Sequence, residues 1–339
     1  MDAGLLLAVD GGSSKTDVAV LRTDGTVLGR ARGAGFRPQR MGTEAAMQVL
    51  EEVRADALAA AGLPSNVMVD VVAAFLAGAD LPGEVEGLRQ AVRARGWAGV
   101  QRVDNDTFAV LRAGATRPWG VAVVCGTGIN SVGVAPDGRT AGFPALGRIS
   151  GDWGGGADIG TAALWHAARS EDGRGPATAL RHVVARHFGL STVAEVTAAV
   201  HTRELDEIRL SELCPAVFAA CDQGDPVAAS LVDRLSDEVA AMAIALLRRL
   251  DLDTANAPED PEVVLGGSVL AARHPRLLTG VTARLAAAVP RARPTVSVAA
   301  PVYGSALAAL DVHPHTTDTA PATLRAAFAH TTDGTCTRR

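Results

Sequence analysis

Lysine is nearly missing from this chain: of its 32 Lys and Arg residues, all but Lys15 are arginine. Aromatic residues make up only 4% against 48% hydrophobic residues, so any core must be built from Ala, Val and Leu. Cysteine is sparse too. Cys125, Cys214, Cys221 and Cys336 show no CxxC spacing, which fits reduced thiols in a cytoplasmic protein. No block of basic charge interrupts a net charge of −5, which speaks against a nucleic-acid or membrane surface. Residues 5–9 are too short an apolar run for a signal peptide, and nothing approaches the ~20 apolar residues of a membrane span. A soluble enzyme remains, and 339 residues suggest two domains.

The one lysine lies in LLLAVDGGSSKTD, an apolar run followed by an acidic residue, a glycine pair and hydroxyl-bearing residues. Glycines let a main chain approach an anion closely and turn back into a second strand. Gly11, Gly12, Ser13, Ser14, Lys15 and Thr16 could therefore cradle a phosphate, with Asp10 at the strand end holding a hydrated metal ion. Taken alone, such an Asp-Gly-Gly turn is an ordinary hairpin. Later motifs change that reading.

Periodicity predicts strands at 5–10, 17–23 and 26–32, the last two joined by Asp24-Gly25. A helix with Thr43 as N-cap follows at 43–61, then a strand at 67–74, a helix at 82–95, a strand at 100–104 and a helix at 107–113. The pattern restarts with a strand at 120–125, the Gly126-Thr127-Gly128 turn, a strand at 131–135, the Pro136-Asp137-Gly138 turn and a short strand from Arg139. After Gly151 the chain reads as mostly helical to residue 250, including an amphipathic stretch at 226–250. It closes with a strand at 262–265, Gly266-Gly267, a helix, a strand at 295–298 and a helix at 303–310. The strand–glycine-turn–strand units near residues 5 and 120 look like a structural duplication. The expected domains are therefore 1–115 and 116–312, the second with a helical insertion, followed by a tail at 313–339 with one helix at 323–329.

Asp10-Gly11-Gly12 with Ser14-Lys15-Thr16-Asp17, Gly126-Thr127-Gly128-Ile129-Asn130, Gly151-Asp152 and Leu265-Gly266-Gly267-Ser268 occur in the order expected of the sugar kinase/actin-type ATPase superfamily. More closely, the chain resembles the N-acetylglucosamine kinase-like, BadF/BadG/BcrA/BcrD-type ATPases over about residues 5–311. The resemblance implies an α/β fold of two ribonuclease-H-like (actin/hexokinase-type) domains, with ATP and Mg²⁺ in an interdomain cleft. It further implies that Gly126, Thr127 and Gly128 form a second phosphate loop, and that Gly266 and Gly267 admit adenosine close to the backbone. A tight strand–helix junction is the competing reading of that last pair.

By the same resemblance Asp106 is the catalytic base, taking the proton of a sugar hydroxyl as the phosphoryl group transfers. The competing reading is an N-cap for the helix from Thr107. Asp104 would support the strand end or hydrate the metal. Asp152 and Asn130 match positions that contact sugar, and the glycines around Asp152 suggest a backbone bent around a ligand or a flexible loop. Arg37 and Trp153 stand where the family commonly has an asparagine and a carboxylate. Both are expected on the substrate side, with Gly33, Gly35 and Gly154–Gly156 leaving room for loop closure. Alternatively, Trp153 packs into the core and Arg37 is solvated.

The resulting expectation is an ATP-dependent carbohydrate kinase acting on an amino sugar, N-acetylglucosamine to its 6-phosphate, as a cytoplasmic homodimer. One alternative is the ATPase activator of a 2-hydroxyacyl-CoA dehydratase or benzoyl-CoA reductase, which the scattered cysteines support poorly. The other is a non-catalytic sugar sensor.

Overall fold

The computed structural model describes residues 4–254 and 257–329, arranged as two compact units. One unit combines the chain up to Pro118 with the chain from Ala299 onward; the other spans Trp119–Val298.

In the first unit β1 (Leu5–Gly11), β2 (Thr16–Arg22) and β3 (Val27–Gly33) form an antiparallel meander. Next come α1 (Pro38–Met41), α2 (Thr43–Ala60), β4 (Val69–Leu76), α3 (Pro82–Ala94), β5 (Ala98–Asn105) and α4 (Asp106–Gly114). The sheet order is β3-β2-β1-β4-β5, with β4 parallel to both β1 and β5. β1 is apolar from Leu5 to Val9 because both its faces are covered. Leu7 and Val9 join a core with Met47 and Leu50 of α2, whereas Leu6 and Ala8 face the opposite core. Thr43 does not cap α2: Gly42, at φ 84°, holds that position, and Thr43 is the first helical residue. A left-handed backbone between two consecutive helices suits glycine, which carries no Cβ to clash.

The second unit begins with β6 (Gly120–Cys125), β7 (Ile129–Val134) and β8 (Thr140–Gly142), again antiparallel. Helices α5 (Gly155–Glu171), α6 (Leu180–His187), α7 (Val193–His201), α8 (Cys214–Asp222) and α9 (Pro226–Arg249) follow, with short 3₁₀ turns at Gly147–Ser150 and Glu207–Leu213. Then come β9 (Glu262–Gly266), α10 (Ser268–Ala271), α11 (Pro275–Ala288) and β10 (Arg293–Val296). The order β10-β9-β6-β7-β8 repeats the first unit's pattern, a three-strand meander extended by two parallel strands. β10 starts two residues before the expected 295, because its ladder opens with Arg293 opposite Glu262.

The helix expected to close the second domain belongs to the first. α12 (Pro301–Val312) packs against β1, β4 and α4. A Cβ on Gly304 would lie 1.9 Å from the Ala109 carbonyl oxygen, so only glycine lets α12 approach α4 this closely. Arg112 and Asp311 add an ion pair at 2.7 Å. The run Val302–Leu310 is buried on every side, which advertises burial but not which sheet it covers. α13 (Ala320–Ala329) then lays Phe328 under the Arg30 guanidinium, 3.6 Å from the ring centroid. Residues 330–339 of the expected tail, with Cys336, lie outside the described residues. Among the described residues no helix is long and apolar enough to cross a membrane.

Candidate active site

The carboxyl ends of β1 and β5 place the first unit's acidic residues together. Asp10 is buried at the end of β1, opposite Asp17 of β2. Burial first, then repulsion from Asp106 and Asp17, holds its carboxyl well above the usual range. Asp106 opens α4. Burial pushes its carboxyl up to about 6, partly offset by backbone N–H groups of the first turn. The cap itself is Asn105, whose Oδ1 accepts from Thr107 N at 2.9 Å while Nδ2 donates to Asp80 at 2.8 Å. Asp106 is the first helical residue rather than the N-cap, although its carboxyl also meets first-turn N–H groups. Asp80 is pushed up to about 7, by burial and then by Asp106 and Glu84. Asp104 lies outside this group and pairs with Arg102 at 3.2 Å.

The Gly11–Lys15 turn is held by its own carbonyls. Gly11 O accepts from Ala77 N at 2.8 Å, Gly12 O from Phe36 N at 2.9 Å, and Ser13 O from the Arg37 guanidinium. Carbonyls so engaged do not face an anion. Gly35 touches the same turn, since a Cβ there would lie 2.2 Å from Ser13 O; at Gly33 one would lie 2.3 Å from Val53. Both are packing glycines, which corrects the expectation of open room for closure. Arg37 is exposed yet tethered to the turn. Lys15 pairs with Asp17 at 3.2 Å, and Arg32 binds the same carboxylate at 2.6 Å. Thr16 is the exception in this stretch: it begins β2 fully buried, so its hydroxyl does not line the turn surface.

In the second unit Gly126-Thr127-Gly128 joins β6 to β7. The start of α5 docks on it, Gly156 N donating to Gly126 O at 2.8 Å and Ala157 N to Thr127 O at 2.9 Å. Gly155 has φ 77°, and a Cβ on it would lie 2.5 Å from both the Thr127 and Gly128 carbonyl oxygens. The glycines after Asp152 thus let the helix approach the turn rather than bend around a ligand. Gly267 has a similar cause, because its Cβ would meet the Cys125 backbone at 2.4 Å. The tight junction explains Gly267. Its neighbour Ser268 lines a cavity of about 630 Å³ together with Thr127, Phe218, Asp222 and His274. At one wall His274 Nε2 bonds Asp222 at 2.9 Å and its ring lies 4.7 Å from that of Phe218.

Asn130 Oδ1 accepts from Ser131 N at 2.7 Å. Asp152 is buried and accepts from the Ser150 hydroxyl. Trp153 is mostly buried in the second unit's core, with Arg234 over its ring at 4.0 Å, and together with Asp152 it also lines a second cavity. An indole amid apolar neighbours is drawn inward by its large nonpolar area.

Sequence reasoning missed Asp80, Asn105 and the Phe218, Asp222 and His274 side of the 630 Å³ cavity. Asp80, after the Ala77-Gly78 turn that follows β4, carried a usable signal, a carboxylate just past the end of a buried strand. Phe218, Asp222 and His274 carried none, because their helices come together only through tertiary packing.

Mg²⁺ is tested by the donor set. Mutually repelling carboxylates at Asp10 and Asp106 suit a hard cation. Among the described residues no cluster of three or more His, Cys, Asp or Glu could cage a metal. The carboxylate pair fits the ion.

The N-acetylmuramic acid/N-acetylglucosamine kinase of Clostridium acetobutylicum is 26% identical over 247 residues, covering 73% of this chain and 80% of the relative. A Chromobacterium violaceum structure, provisionally assigned as an N-acetylglucosamine kinase, superposes with a TM-score of 0.69 at 22% identity, over 90% of this chain and 98% of that one. A ROK family glucokinase from Streptomyces griseus, solved with glucose and AMPPNP, gives 0.56 at 18% identity, over 91% and 100% of the two chains. These two structures share the fold. The BadF/BadG/BcrA/BcrD ATPase family profile matches residues 7–309, and the chain belongs to that family.

Proposed function

We propose that the protein is an ATP-dependent sugar kinase that phosphorylates a hydroxyl of an amino sugar, with N-acetylglucosamine the leading acceptor and its 6-phosphate the product. The observation that carries this reading is Asp106: a carboxylate at the start of α4, next to the Asn105 cap and pushed up to about 6. A base is most effective when its pKa lies near the working pH. Asp106 accepts the acceptor hydroxyl's proton while the new O–P bond forms and the bond from the γ-phosphorus to the ADP oxygen breaks.

Gly11–Lys15 and Gly126–Gly128 are read as phosphate cradles. The cavity beside Thr127 and Ser268 is read as the nucleoside site. Asn130 and Asp152 hold sugar hydroxyls, with Arg37 acting through the first cradle. Asp10 would hold Mg²⁺ through water, and the ion would supply charge neutralisation at the phosphates.

The relative from C. acetobutylicum supports this class of acceptor. The activator alternative finds no support in the described cysteines at the second unit's core. Cys125 and Cys214 are buried in that core, and Cys221 is packed against it. The protein is further proposed to act in the cytoplasm as a homodimer.

The test is ATP consumption against a panel of hexoses, hexosamines and N-acetylated sugars. Saturable consumption with an N-acetylated amino sugar supports the reading; sugar-independent hydrolysis, or none with any sugar, overturns it.

A further inference from the structure

A second cavity of about 510 Å³ lies in the second unit, bordered by α5, α9 and the loop that carries Asp152. Its size is in the range of small-ligand sites, and none of its lining residues also lines the cavity beside Thr127. Asp152 forms part of its wall, α5 contributes Trp165 and His166, and α9 contributes Arg234 and Glu238.

The guanidiniums in this wall are already paired. Arg234 lies over Trp153 and pairs with Glu238 at 3.7 Å, and Arg148 pairs with Asp158 at 3.3 Å. Burial, with Arg169 acting in the same direction, holds His166 below its ordinary range, so near neutrality it is an uncharged donor and acceptor. A phosphate or carboxylate entering here would find both guanidiniums engaged.

Trp165 is 54% exposed, in contrast to the buried Trp153 and Trp97. Arg169 lies over one face of the Trp165 ring at 4.7 Å; the other face, beside paired, planar donors and acceptors, matches a neutral pyranose. Its C–H face covers aromatic surface, while its hydroxyls reach carboxylate and guanidinium groups at once.

We propose that this cavity is a second carbohydrate subsite, which holds a neutral pyranose linked to the sugar bound at Asp152, so that the preferred acceptor is a disaccharide. The proposal rests on the sugar-kinase reading and names its substrate class more narrowly.

The experiment measures ADP release with N-acetylglucosamine and with N,N′-diacetylchitobiose, and titrates both sugars calorimetrically, in wild type, Trp165→Ala and Glu238→Gln. The disaccharide should exceed the monosaccharide by about tenfold or more in kcat/KM, the scale of one good contact surface. Trp165→Ala should erase most of that ratio. Glu238→Gln, close in shape, should lower it by roughly threefold, the scale of one hydrogen bond. Equal use of the two sugars, or a ratio that Trp165→Ala leaves intact, overturns the subsite. So does a Trp165→Ala protein that becomes monomeric with its ratio unchanged, since the indole is then a subunit contact. Failure of the kinase reading looks different: no sugar drives ATP consumption. Calorimetry then decides alone, and disaccharide binding no tighter than monosaccharide binding overturns the subsite.

Discussion

The β1–β2 turn and the β6–β7 turn occupy the same place in one repeated topology, yet they are built from different chemistry. The first sits among Asp10, Lys15, Asp17 and Arg32, and its carbonyls are tied down one at a time by Ala77, Phe36 and Arg37. The second contains no charged residue, only a hydroxyl between two glycines, and a whole helix start docks on it. On the proposed reading, charge is concentrated where a proton and a cation are handled. The neutral turn offers only amides and one hydroxyl, so as the proposed second phosphate cradle it would need rigid placement rather than tuned acidity.

The sharpest way to break this contrast is at Asp106. Asp106→Asn keeps shape and removes the proton acceptor, so kcat should fall by about 10²–10⁴-fold while nucleotide affinity and Tm stay near wild type. If steady-state turnover remains above a tenth of wild type, the base lies elsewhere. The same argument predicts an acid limb in kcat/KM near pH 6, because the carboxyl is pushed up to about 6 and must be ionised to act.

Placement is tested next. Gly155→Ala puts a Cβ at φ 77° and 2.5 Å from two turn carbonyls, which should cost roughly 1–3 kcal/mol of stability and raise the KM for ATP. Gly35→Ala should do the same to the charged turn through Ser13. Thermal unfolding and ATP titration read both; wild-type values would mean that neither turn is held as tightly as its contacts suggest. Thr127→Val is milder. Losing one hydrogen bond of about 0.5–1.5 kcal/mol should lower kcat/KM for ATP by a few-fold to tenfold, and unchanged kinetics would move the second cradle elsewhere.

Much of the framework was legible because strands covered on both faces read as continuous apolar runs, as in 5–10 and 120–125, and glycine turns mark their ends. The limit shows at α12, whose all-round apolarity fits either sheet; only the notch at Gly304 selects α4. The site divides in the same way. Asp10, Asp106 and Thr127 stand on local motifs at strand ends. Trp153 stands between the two readings the sequence left open, packed into the core yet lining the cavity that Asp152 also lines. Thr16 misled: motif membership says nothing about which face of a strand a hydroxyl takes. Asp80 escaped notice because its importance comes from Asn105 and Asp106, distant from it in sequence.

Asp80 also supplies the smallest predicted effect. Its carboxyl is pushed up to about 7 from an ordinary value of 3.8. A raised acid binds its proton more tightly in the folded than in the unfolded chain, so folding stability is fully present below about 4 and declines as pH rises toward 7. Asp80→Asn removes the charge and retains an oxygen that can accept from Asn105. The variant should therefore melt a few degrees higher than wild type at pH 8 and close to it at pH 4.5, both measured in EDTA to exclude divalent cations. A gain of equal size at both pH values would assign the effect to packing. A loss at pH 8 would mean that the ionised carboxylate supports Asn105, and through it the first turn of α4, by more than its repulsion with Asp106 costs.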